Sequence, residues 1–149
     1  MSASARLAEL GISLPPVAAP VAAYVPAVRS GAYVFTSGQL PMVDGVLSVS
    51  GIVGEISADD AAAAARIAAL NALAAAASVA GGVDGIARIV KVTVFVASTP
   101  EFTGQPAVAN GASDVLTLIF DTPHARSAVG VASLPLNTPV EVELVAELA

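Results

Sequence analysis

Near the C-terminal end of the chain, Val140, Val142, Leu144 and Leu148 interleave with Glu141, Glu143 and Glu147. A period of two marks a β-strand with one dry and one wet face. The run Ile86–Ala97 reads differently. Val90, Val92, Val94 and Val96 lie on one face, while Ile89, Phe95 and Ala97 make the other apolar as well. A strand apolar on both sides is covered on both, here by helices on one face and by a partner subunit on the other.

The helical periods fall between these strands. Ser57 stands before Asp59 and Asp60, an N-cap followed by acid in the first turn. The helix it opens runs to about Ala80 and stops at Gly81-Gly82. Ile67, Leu70 and Leu73 form its stripe, with Ala74 and Ala77 filling in, and alanine elsewhere permits close packing on more than one side. A second helix is predicted over residues 107–120. Residues 2–10 form a short helix closed by Gly11, and residues 14–26, with four prolines, form an extended arm. Two β-rich runs follow Tyr24, then an Asp44-Gly45 turn and a short strand over 46–49. The closing strands, 125–132 and 140–148, read as a hairpin through Pro135, Asn137 and Pro139, with its register left open. The order predicts an α+β domain covering residues 1–149, with 1–23 as helix and arm. Its six-stranded mixed sheet carries two main helices on one face.

Composition narrows the function. Hydrophobic residues make up 56% of the chain and charged residues 12%, against roughly 25% charged in ordinary domains. So few charges leave a monomer short of polar cover, which points to a subunit interface. The net charge is −6, and the six basic residues are scattered, so no nucleic-acid partner is expected. Mean hydropathy is +0.80, yet its richest stretch, residues 67–83, is mostly alanine and contains Asn71. Neither a membrane span nor a signal peptide is expected. The absence of cysteine excludes thiolate chemistry and fits a cytoplasmic setting. With His124 the only histidine, no transition-metal site is expected, and no phosphate-binding glycine loop or nucleophile elbow is present.

Several segments nonetheless form an ordered series. They are Thr36-Ser37-Gly38-Gln39-Leu40-Pro41, Ala65-Arg66 followed by Asn71, and Ile89 through Val96. Ala125-Arg126-Ser127 and Leu134-Pro135 follow, with Val140-Glu141-Val142-Glu143 last. Together they resemble the RidA/YjgF family across about four-fifths of the chain. The resemblance implies a chorismate-mutase-like fold, a homotrimer with a central barrel of three sheets, and ligand sites in clefts between subunits. It also implies cofactor-free hydrolysis of reactive 2-imino and 2-enamino acids to 2-keto acid and ammonia. Arg126 would bind the carboxylate of a small metabolite, and Glu141 would place or polarise the attacking water. Tyr24 and Ser37 would shape the polar wall.

Bottom-up chemistry suits these roles, since guanidinium is a permanent cation whose planar fork matches a carboxylate. Ala128 and Gly130 share the strand face of Arg126 and leave room beside it. Gln105 and Asn110 are candidates for ligand contact but read first as loop or helix caps, and His124 reads as a local hydrogen-bonding residue. Whether Arg126 and Glu141 meet within one chain or across subunits stays open. Some positions depart from the family pattern: Ala22-Ala23 replaces Gly-Pro, His124 replaces proline, and Gly130 replaces an acidic residue. The alternative is a non-catalytic metabolite-binding or regulatory protein on the same scaffold. Ribonuclease activity is disfavoured by the acidic charge and lone histidine.

Overall fold

The computed structural model describes residues 1–19 and 23–149; Pro20, Val21 and Ala22 of the arm lie outside them. Among the described residues seven strands form: β1 (Ala27–Ser30), β2 (Tyr33–Thr36), β3 (Met42–Val43), β4 (Val46–Leu47), β5 (Ile86–Ala97), β6 (Ala125–Val131) and β7 (Val140–Leu148). Three α-helices accompany them there: α1 (Ala3–Glu9), α2 (Ala58–Ala80) and α3 (Gln105–Phe120). The main sheet has five strands in the order β1-β2-β7-β5-β6, not the six expected. The missing member is local. Asp44 and Gly45 both take positive φ, and this tight turn closes β3 on β4 as a separate two-stranded hairpin.

The expected closing hairpin is also absent, because β5 lies between β6 and β7. β6 runs parallel to β5, with Arg126 opposite Val92, and α3 forms the crossover between them. β7 runs antiparallel to β5, with Glu141 opposite Phe95. Register along β5 shifts between Ile86 and Arg88 and again between Ile89 and Lys91. These irregularities turn Ile89 into the core beside Val92, Val94 and Val96, and leave Val90 only half-buried. Strict alternation had placed Val90 with the other valines.

α2 and α3 cover one face of the sheet. The α2 caps are as expected: Ser57 Oγ accepts from Asp60 N–H at 3.1 Å, and Gly81 closes the helix at φ 77°. Of the expected stripe, Leu73, Ala74 and Ala77 are buried, but Ile67 and Leu70 are not. Ala61, Ala65, Ala68, Ala72 and Ala76 are buried with Leu73, while Ile67 and Leu70 are half-buried and line a cavity beneath the N-terminal arm. Small side chains let α2 approach its neighbours closely, and Gly111 of α3 leaves no room for a Cβ against the Ala62 carbonyl. α2 is long and apolar enough to cross a membrane by length and composition, but more than half of its most apolar stretch is buried inside the fold.

The opposite face of the sheet is open. Val28, Tyr33, Phe35 and Val129 are exposed there, alongside Glu141, Glu143 and an Arg88–Glu147 ion pair.

Candidate functional site at the outer edge of the sheet

Arg126 projects from β6, an edge strand, toward α3. Its Nη1 donates to Asn110 Oδ1 at 2.7 Å and to Ser113 Oγ at 3.3 Å. Asn110, Ser113 and Thr117 are spaced i, i+3, i+7, so one helical face presents all three polar groups. That spacing was readable in the sequence, where Asn110 was weighed as a cap ahead of a ligand contact and Ser113 was passed over. His124 Nε2 lies 2.9 Å from Ser113 Oγ. Burial, and then the Arg126 cation, hold His124 below the usual histidine value, so the ring is neutral near pH 7. Arg126, His124, Ser113 and Thr117 line a cavity of about 520 Å³ together with Asp121 and Thr122. Thr122 Oγ1 is buried there without a hydrogen-bond partner among the described residues.

The ion pairs among the described residues are Arg6–Glu9 and Arg88–Glu147. Arg126 is thus a partly buried cation held only by neutral groups, and Nη1 carries both of those bonds. The Nε and Nη2 donors meet no acceptor among the described residues, and that edge is one of the two that fit a carboxylate bidentately. Ala128 packs partly buried against the core. The space beside Gly130 is already taken: a Cβ there would meet Gln105 Nε2 at 2.8 Å. Gln105 in turn donates to the Phe102 carbonyl at 2.8 Å, which ties down the loop before α3 without capping the helix's free N–H groups.

Glu141 lies elsewhere. Its side chain faces the open side of the sheet and presses against Gly38, where a Cβ would collide with the Glu141 carboxyl and displace it. Burial, and then the neighbouring Glu143 charge, push its carboxyl above the usual range. The Ser37 hydroxyl is not free, since it donates to the Val25 carbonyl at 2.6 Å. Tyr24 and Gly38 line a second cavity of about 860 Å³, over Ile67 and Leu70 and under residues 13–19. Asn71, buried in α2, donates to the carbonyls of Leu40 at 2.9 Å and Met42 at 3.0 Å, and so pins the segment after Gly38. Tyr24, Ser37 and Glu141 therefore gather around one loop. Arg126 stands on the other face of the sheet, so it does not meet Glu141 within one chain. No group of three or more His, Asp or Glu side chains comes together among the described residues.

The sequence model of the endoribonuclease L-PSP family matches residues 16–148. The chain belongs to this family, also called RidA/YjgF. Protein TCP17 of Trypanosoma cruzi is 44% identical to it over 97% of this chain and 93% of its own. A 2-iminobutanoate/2-iminopropanoate deaminase of Dermatophagoides farinae is 32% identical over 89% and 91%. Among solved structures, the Agrobacterium tumefaciens protein Atu1372 aligns with a TM-score of 0.88 at 42% identity, covering 99% of this chain and 92% of that one. The YjgF gene product of Escherichia coli aligns at 0.65 with 31% identity, covering 90% and 93%. The α+β arrangement described above is thus that of RidA/YjgF proteins.

Proposed function

We propose that this RidA/YjgF protein is a cytoplasmic, cofactor-independent hydrolase of reactive 2-imino and 2-enamino acids, acting as a homotrimer. Water adds to the carbon of the C=N bond, the nitrogen leaves as ammonia, and a 2-keto acid remains. The observation that carries this reading is Arg126, a partly buried guanidinium with an unused donor edge and no ion-pair partner among the described residues. A substrate carboxylate is the natural partner for such a group. Glu141 suits the second role. Its raised carboxyl is a stronger base once ionised, able to draw a proton from water. Imine hydrolysis is intrinsically easy, so orientation and one carboxylate suffice.

Two features favour the trimer. Arg126 and Glu141 lie on opposite faces of one sheet, so a site using both needs a second subunit. The open face also exposes Val28, Tyr33, Phe35 and Val129, an apolar surface suited to burial between copies. The homology to a 2-iminobutanoate/2-iminopropanoate deaminase supports the substrate class.

The test is to generate 2-imino acids with an amino-acid oxidase and follow their decay with and without the protein. The wild type should speed decay, and Arg126→Ala should lower turnover about 10- to 100-fold, the loss of a charge-assisted bond worth about 1.5–3 kcal/mol. Carboxylate binding without faster decay would leave a binding module on the same scaffold. An Arg126→Ala protein equal to wild type would place the site elsewhere.

A further inference from the structure

Arg126 is linked through Ser113 to His124, which stands just before β6. Ser113 Oγ lies 3.3 Å from Arg126 Nη1 and 2.9 Å from His124 Nε2. A hydroxyl has one proton to donate and two lone pairs to offer. The guanidinium can only donate, so it takes a lone pair of Ser113. With the imidazole neutral and its hydrogen on Nδ1, Nε2 accepts the Ser113 proton. In this state the Ser113 donor is occupied and cannot serve a ligand. The charged groups lining the same cavity are Arg126 on β6 and Asp121 at the end of α3, and Asp114, beside Ser113, is exposed.

We infer that Ser113 and His124 are positioning residues that couple the grip of Arg126 on a carboxylate to the uptake of one proton. The inference rests on the reading of Arg126 as carboxylate anchor. An anion on Arg126 offsets the cation that disfavours a charged imidazole. His124 then takes one proton from solvent at Nε2. The new N–H donates to Ser113 Oγ, and the Ser113 hydrogen is released to turn toward the bound carboxylate. The balance is one proton gained from solvent, with no covalent change elsewhere. Linkage is reciprocal: if the ligand raises proton affinity, protons raise ligand affinity. Affinity is therefore flat at high pH and rises as pH falls into the titration range of His124.

The probe is pyruvate, a stable 2-keto acid. Calorimetry in buffers of different ionisation heat counts the protons taken up on binding. The imidazole NMR signal reports on His124 without ambiguity, because it is the only histidine in the chain. Wild type should bind at least about fivefold tighter at about pH 5.5 than at about pH 8, the low end of ordinary linkage. The His124 signal should titrate at higher pH with pyruvate than without it. His124→Gln, whose amide oxygen still accepts from Ser113, should bind without proton uptake and with no pH dependence in this range. Ser113→Ala should weaken binding and shrink the pyruvate-induced change at His124. Proton uptake that persists in His124→Gln would assign the proton to another group, Glu141 first, and overturn the inference while sparing the anchor. Absence of pyruvate binding in wild type, or equal binding by Arg126→Ala, would instead overturn the anchor reading itself.

Discussion

Gly38 and Glu141 compete for one space. A Cβ added at Gly38 would stand 2.7 Å from Cδ and 2.9 Å from Cγ of Glu141, and nearer still to Oε1. Unstrained contacts between carbons settle at about 3.5–4.0 Å. Gly38 is not in the left-handed region, so alanine strains no backbone there and the effect falls on the carboxylate. The Glu141 side chain can turn away toward the open face. Gly38→Ala should therefore lower stability by only about 1 kcal/mol while moving the carboxylate by about 1 Å. A misplacement of about 1 Å in a reacting group costs on the order of 100-fold in rate. The assay is imine decay and thermal melting for Gly38→Ala, Glu141→Ala and the double variant. Each single change should slow decay strongly, and the double should be no slower than Glu141→Ala, since the methyl then has nothing to displace. Independent, multiplying losses would mean that Gly38 acts through something other than Glu141. A Gly38→Ala protein with wild-type turnover would remove Glu141 from the chemistry.

Arg126→Lys should recover only part of the activity lost in Arg126→Ala, because an ammonium keeps the charge but lacks the planar fork; full rescue in the oxidase-coupled assay would argue for charge alone. Glu141 carries a pKa raised by burial and by Glu143, so its contribution to stability is fully present below the ordinary carboxylate range and is lost as pH rises through its folded value. Glu141→Gln should then melt higher than wild type at neutral pH and the same near pH 3, as a pH series of melting curves would show. Asn71→Ala removes two hydrogen bonds and strands the Leu40 and Met42 carbonyls, at a cost of about 2–4 kcal/mol in denaturant unfolding; a loss under about 0.5 kcal/mol would mean that water replaces the amide. Light scattering at micromolar concentration should give three times 14.6 kDa, and Phe35→Glu, which puts charge on the open apolar face, should lower that mass. Imine decay should persist after exhaustive chelation, and zinc-dependent recovery from an EDTA-treated, inactive sample would contradict the metal-free reading.

What the sequence determined by itself was local. Ser57 and Gly81 bound α2 because a side-chain oxygen for a free N–H and a residue at ease with positive φ are needs met within one turn. The alternation of valine and glutamate in β7 announced a strand for the same kind of reason. Ordered short segments were enough to identify the family. The tertiary structure decided whatever depended on partners distant in the chain. Alanine rather than isoleucine faces the core from α2, because the closeness of the sheet and α3 sets how much side chain fits there. Ile89 replaces Val90 in the core because two register shifts break the alternation of β5, and no local pattern encodes a shift imposed by the neighbouring strand. β5 parts the two closing strands, since the α3 crossover returns the chain parallel to it. That topology sends Arg126 to the helix side and Glu141 to the open side. The residue types of the candidate site were legible one by one, but their separation on two faces was not, because facing is a property of the assembled sheet.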